Sequence, residues 1–187
     1  MENLSSFNID EIIIKNLEKA KNGDEKALNE LCKELYKRIF RYLYYRVRSE
    51  ADCEDLTSEV MIKMVKGLDQ QKGNFLAWVY QIASNALIDY YRRNKSKLEM
   101  SYEALPQELS VDESPKEILR ADKLKEAIAN LTKEQAEVIT LKFIQEYDNS
   151  EIARIMGKSV GAIKVLQYRA LKSLRDYFRK KGYEIKD

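Results

Sequence analysis

Histidine is absent from this chain, and cysteine and proline occur only twice each. With no imidazole, and with Cys32 and Cys53 forming no CxxC pair, the residue set for a structural zinc site is missing, and no metal or other cofactor is expected. Two isolated thiols usually pack as small apolar groups; a redox switch is the functional alternative. The prolines stand at Pro106 and Pro115, so the long stretches on either side are open to helix. The longest apolar run, Phe75–Tyr80, falls far short of the ~20 residues that span a bilayer. Met1-Glu-Asn-Leu-Ser-Ser6 has neither the basic nor the apolar region of a signal peptide. The expectation is a cytoplasmic protein with no membrane insertion.

What is present is charge, unevenly placed. The net charge of +2 over 187 residues conceals values of +1 for residues 1–95, −4 for 96–117 and +5 for 118–187. An acidic stretch between a mixed block and a basic block predicts two domains and a solvated connector. Apolar residues recur at steps of three and four almost throughout, which predicts an all-α protein. The first helix is expected from about Asp10 to Asn22, ended by Gly23. A second starts at the Asp24 cap and carries Leu28, Leu31, Leu35, Ile39, Leu43 and Val47 on one face. A third, near 51–66, buries Leu56, Val60 and Met64. A fourth, near 74–94, buries Phe75, Trp78, Val79, Ile82 and Ala86. These four make one bundle, residues 1–95.

From Ser96 to Ser114 the periodicity fades, and a flexible acidic linker is expected. Ser114-Pro-Lys-Glu117 then combines an N-cap, a proline at the first helical position and a capping-box glutamate, and Thr132-Lys-Glu-Gln135 repeats the device. The second domain, 115–187, is therefore read as helices near 115–130 and 133–144 followed by a helix-turn-helix. In that last unit Asp148 and Glu151 cap the first helix, Gly157 supplies the turn and Ser159 caps the second. Ile139, Leu141, Phe143, Ile152, Ala153, Ile155, Ile163, Leu166, Ala170, Leu171 and Leu174 are assigned to its core. Between Arg154 and Lys181 nine Lys or Arg stand against one Asp. A charged helix face is ordinarily just solvated, but caps, turn and one-signed charge together point to a nucleic-acid phosphate backbone. The outer face of the last helix offers Lys164, Gln167, Tyr168, Arg169, Lys172 and Arg175 to phosphates and base edges.

Two further tracts carry chemistry. Asp52-Cys-Glu-Asp-Leu-Thr-Ser-Glu59 holds carboxylates that could merely favour a helix start. Asp55 and Glu59, one turn apart, also make an acidic patch beside Leu56 and Val60, suited to a basic protein surface. In Trp78 to Lys95 the aromatics at helical spacing read as core, Trp78 above all, whereas Asn85, Asp89, Arg92 and Arg93 follow one another on the opposite side, where a nucleic-acid strand could lie.

Taken in order, Asp52–Val60, Phe75–Arg93 and the helix-turn-helix resemble the sigma-70 family of RNA polymerase subunits, and the short two-domain form looks like its extracytoplasmic-function group. The resemblance implies that Asp52, Glu54, Asp55 and Glu59 dock on the β′ clamp helices of core polymerase, with the β subunit as a further contact. It implies that the loop Leu68–Asn74, with Lys72 and Asn74, and the face of Asn85, Asp89, Arg92 and Arg93 bind the minus-ten element, partly as single strand. The helix capped by Ser159 would read the minus-thirty-five duplex through Lys164, Gln167, Tyr168, Arg169 and Lys172. Many relatives carry serine and arginine where this chain has Val165 and Leu166, arginine in place of Leu171, and glutamine in place of Ser58, so the contact set differs. An anti-sigma partner is also implied. No enzymatic step is implied. The rival readings are a helix-turn-helix regulator that never joins polymerase, which would need a dimer interface and a palindromic site, and a carboxylate-metal nuclease around Asp52–Glu59.

Overall fold

A computed structural model describes residues 4–47, 49–94 and 123–183, with side chains from Ile12 onward. Among the described residues the regular elements are all helical. Helix α1 spans Leu4–Lys21, α2 Glu25–Tyr44, α3 Glu50–Gly67 and α4 Phe75–Arg93, with a 3-10 turn at Leu68–Gln70. Residues 123–129 form α5. Then come α6, Lys133–Ile139, a π-helical segment Thr140–Ile144, α7, Asn149–Met156, and α8, Val160–Lys180. Among the described residues no helix is long and apolar enough to cross a membrane. The connector and the Ser114–Glu117 start signal lie outside the described residues.

The starts of α2, α3, α4, α6, α7 and α8 are each fixed by a short polar side chain. Asp24 accepts from the backbone N–H groups of Lys26 and Ala27, both at 3.0 Å. Ser49 accepts from Asp52 N at 3.1 Å and Asn74 from Ala77 N at 2.8 Å. Thr132 with Gln135 and Asp148 with Glu151 close complete capping boxes. Each such cap contributes ~0.5–2 kcal/mol by satisfying an orphan donor.

The first four helices bury the expected stripes. Leu31, Leu35, Ile39 and Leu43 of α2 face Cys53, Leu56, Val60 and Met64 of α3 and Val79, Ala83 and Leu87 of α4, and α1 lies along α2. Leu28, Trp78 and Ile82 are only half-buried. Leu56 and Val60 are core residues, so the apolar neighbours of the acidic patch are instead Ile62 and Val65, both exposed. Trp78 packs across Gly67, where an added Cβ would stand 2.9 Å from the indole Cζ2.

In the second half α6 and α7 pack on α8 around Ile139, Leu141, Ile152, Ile163, Ala170 and Leu174. Two residues assigned to this core lie outside it. The expected helix over 133–144 widens into a π turn, with Gln145 N bonded to Thr140 O at 3.0 Å. That extra residue in the turn changes the angular register, and Phe143 stands 50% exposed. Leu171 follows buried Ala170 and is rotated ~100° from it, out of the core.

The two halves meet across a polar and aromatic seam. Tyr42 donates to Glu137 Oε1 at 3.0 Å, and the Arg46 guanidinium lies 4.7 Å over the Tyr42 ring with Nη2 3.9 Å from Glu137 Oε2. Tyr80 donates to Gln145 Oε1 at 3.2 Å while its ring meets Tyr147 edge-on. Arg38 donates to the Tyr147 hydroxyl, Gln145 donates to the Arg38 carbonyl, and Lys125 sits 4.2 Å over Tyr44. Burial raises the Tyr42 and Tyr80 phenols far above their ordinary range, so both remain neutral donors.

Candidate protein and nucleic-acid interfaces

Three surfaces carry the residues singled out in the sequence. On α3 the Ser49 cap orients the first turn, and the side chains opposite the core run from acidic to apolar. Glu54 and Asp55 are exposed and have no ion-pair partner among the described residues. Asp52 is half-buried and accepts from the Tyr90 hydroxyl at 2.9 Å. Glu59 is held by Lys63 at 2.6 Å and approached by Arg93 at 3.8 Å. The four carboxylates therefore divide into two that face solvent with no ion-pair partner among the described residues and two that bond neighbouring side chains. Ile62, 55% exposed, and Val65 continue the same face. Neither was singled out in the sequence, although both lie off the Leu56, Val60 and Met64 stripe and so on the outer side of the helix. No group of three or more acidic or cysteine side chains converges as a metal site among the described residues.

Helix α4 turns Gln81, Asn85, Ile88 and Arg92 outward, opposite buried Val79, Ala83, Ala86 and Tyr90. Asp89 flanks this line and pairs with Arg92 at 3.0 Å, and Gln81 donates to Asn85 at 3.2 Å. Arg93 leans away toward Glu59 on α3, which leaves it at the edge of the face that Asn85 and Arg92 define. In the preceding loop Lys72 is exposed, whereas Asn74 commits its side-chain oxygen to capping α4.

The helix-turn-helix is formed as the sequence predicts. Asp148 starts α7, its carboxyl held below the ordinary carboxylate range by the backbone N–H of Glu151 and the Ser150 hydroxyl. Gly157 makes the turn with φ 63°, and Ser159 accepts from Ala162 N at 3.2 Å to start α8. Lys164, Tyr168, Arg169 and Lys172 are exposed on the outer side of α8. Gln167 is half-buried and rotated toward the core face. Ser159 serves as a cap, and its oxygen is used locally.

The cysteines do not fit a switch. Cys53 is buried, its thiol donating to the Phe40 carbonyl at 3.4 Å, and burial pushes it up to about 12. Cys32 is half-buried and shifted in the same direction for the same reason.

Comparison with known proteins places the chain in one family. Residues 31–97 match the model of sigma-70 region 2, and residues 121–174 match sigma-70, region 4. The ECF RNA polymerase sigma factor BldN of Streptomyces coelicolor is 35% identical over 165 residues, which take in 84% of this chain and 62% of that protein, so the chain spans under two-thirds of that relative's length. The ECF RNA polymerase sigma factor SigD of Mycobacterium tuberculosis H37Rv is 29% identical over 82% of this chain and 78% of its own length. Among solved structures CnrH, in complex with the cytosolic domain of CnrY, superposes with a TM-score of 0.70 at 20% identity over 88% of this chain and 96% of that one, a likeness of fold. With both regions matched in order on a chain whose described elements are all helical, this protein belongs to the sigma-70 family, in its extracytoplasmic-function group.

Proposed function

We propose that this chain is a dissociable initiation subunit that joins core RNA polymerase and directs it to promoters bearing minus-ten and minus-thirty-five elements. The acidic half of the outer α3 face, Glu54 and Asp55 with Asp52 and Glu59 beside them, docks on the β′ clamp helices, and Ile62 and Val65 extend the contact with apolar area. Lys72 and Asn74 with the α4 face of Asn85, Asp89, Arg92 and Arg93 bind the minus-ten element. The α8 face of Lys164, Tyr168, Arg169 and Lys172, with Ser159 and Gln167 at its margins, binds the minus-thirty-five duplex. Residues 1–95 and 115–187 act as the two domains, joined by the acidic connector. The protein works in the cytoplasm, catalyses no covalent step, uses no cofactor, and is held in check by an anti-sigma factor.

The observation that carries this reading over a polymerase-independent regulator is the second docking surface. A DNA-only regulator has no task for an outward acidic and apolar face on α3. Electrostatic complementarity of this kind sets partner choice and association rate. Run-off transcription with purified core enzyme is the test. Asp55→Arg should abolish core capture and transcription while leaving helical content unchanged, since Asp55 is exposed and has no ion-pair partner among the described residues. Core capture at the unmodified level would refute the assignment.

A further inference from the structure

The outer line of α8 contains a feature that phosphate binding does not use. Val165, Tyr168 and Leu171 are 50%, 71% and 44% exposed on a helix whose buried side is already filled by Ile163, Ala170 and Leu174. At ~100° per residue, Gly161, Val165, Tyr168 and Lys172 lie within roughly 40° of the direction opposite the core. The cations Lys164 and Arg169 sit to either side of that line, and Lys172 continues it one turn further on. A surface built only for phosphate would put its positive charges at the centre. Here residues 161–168 present a glycine, a valine and a tyrosine there, with the Tyr168 hydroxyl the only polar side-chain group among the three.

Gly161 adds to this. An added Cβ would meet only Ser159 Oγ, at 3.9 Å, so nothing within the fold requires glycine for space, and its lack of a side chain lets the backbone come close to whatever α8 faces. In a helix-turn-helix the N-terminal part of the second helix meets base edges. In the major groove the apolar group that a base pair offers is the C5 methyl of thymine.

We infer that Val165, with the ring of Tyr168 beside it, reads thymine methyl groups in the minus-thirty-five duplex, while Lys164, Arg169 and Lys172 hold the flanking phosphates. This rests on the proposed promoter-binding function and specifies how its sequence preference arises. Base discrimination in this half of the protein then comes from apolar contact rather than from a bidentate hydrogen-bonding side chain.

The test uses the full chain assembled with core polymerase. Duplexes enriched by that holoenzyme from a randomised pool are resynthesised with each thymine of the upstream element replaced in turn by deoxyuridine, which removes the methyl group and leaves base pairing intact. At one or two positions the unmodified protein should lose about fourfold in affinity, the scale of burying one methyl-sized group. Val165→Ser should bind the thymine and uracil duplexes equally at one of those positions. Arg169→Ala should weaken both and keep their ratio. Because the readout is a ratio within one protein preparation, a partly inactive sample does not mimic the result. Equal binding of all thymine and uracil duplexes by the unmodified protein would overturn the inference and leave promoter binding standing, as would a Val165→Ser protein that still discriminates at every position where the unmodified protein does. Failure to enrich any duplex would overturn the promoter reading and this inference with it.

Discussion

If the seam between the two halves is populated in solution, removing the Glu137 carboxylate should destabilise the whole chain. Glu137 sits on α6 but its partners, Tyr42 and Arg46, belong to the first half. The Arg46 side chain is 3% exposed and that of Glu137 14%. Breaking a buried pair by deleting one member costs ~3–5 kcal/mol. The 3.9 Å separation and the partial wetting of Glu137 place this pair at the low end of that range. Loss of the acceptor for the buried Tyr42 hydroxyl adds ~1–3 kcal/mol, but both effects share one carboxylate and do not simply sum. Glu137→Ala should therefore cost about 3–4 kcal/mol, a large part of the ~5–15 kcal/mol typical of a folded domain. With an m-value of ~2 kcal/mol/M, the urea midpoint would fall by roughly 1.5–2 M. The decisive measurement is a double-mutant cycle with Tyr42→Phe, because a defect confined to α6 would not couple across the seam. A coupling of about 1 kcal/mol or more is expected. A coupling near zero would show that the halves fold and move independently, and the interdomain reading of Tyr42, Arg46 and Glu137 would fall.

Other outcomes follow from single contacts. Gly67→Ala drives a methyl to 2.9 Å from the Trp78 indole and should cost ~1–3 kcal/mol while shifting the fluorescence of the only tryptophan; unchanged emission would place Trp78 elsewhere. Burial pushes the Cys53 thiol from 9.0 up to about 12. Its neutral form therefore stabilises the fold fully below pH 9, and that contribution is lost as pH rises toward 12. Thiol labelling of the native protein at pH 8 should accordingly reach Cys53 only at the rate of unfolding, and rapid native-state labelling would contradict its burial. Duplex binding through about four to six phosphate contacts should give a log-affinity against log-salt slope of roughly −4 to −5, and a slope near zero would remove α8 from the DNA interface.

Local chemistry made much of this molecule legible from residue types. Asp24, Thr132, Asp148 and Ser159 cap helices because a short oxygen-bearing side chain before an apolar-periodic stretch can satisfy backbone donors without help from the rest of the fold. Gly157 and the one-signed charge of α8 are equally local properties, and the order of the motifs was enough to suggest the family. What depended on angle and depth was not legible. Phe143 and Leu171 were assigned to the core yet face solvent, the first because a π turn altered the register and the second because it stands ~100° round α8 from buried Ala170.

The acidic patch followed the same division. Four carboxylates can be counted in the sequence, but only packing decides that Tyr90 and Arg93 approach Asp52 and Glu59 while Glu54 and Asp55 stay open to a partner. The seam lay wholly beyond sequence reasoning. Tyr42 and Arg46 stand about a hundred residues from Glu137 along the chain, and no periodicity links such distant positions. The helical class and the capped helix starts were thus set by the sequence alone, because each depends on interactions within a few residues, whereas the π segment at Thr140–Ile144 was not. Which polar groups are spent inside the fold, and which apolar ones are left on the outer line of α8, was decided only when the helices packed, because burial is a property of the whole assembly of surfaces.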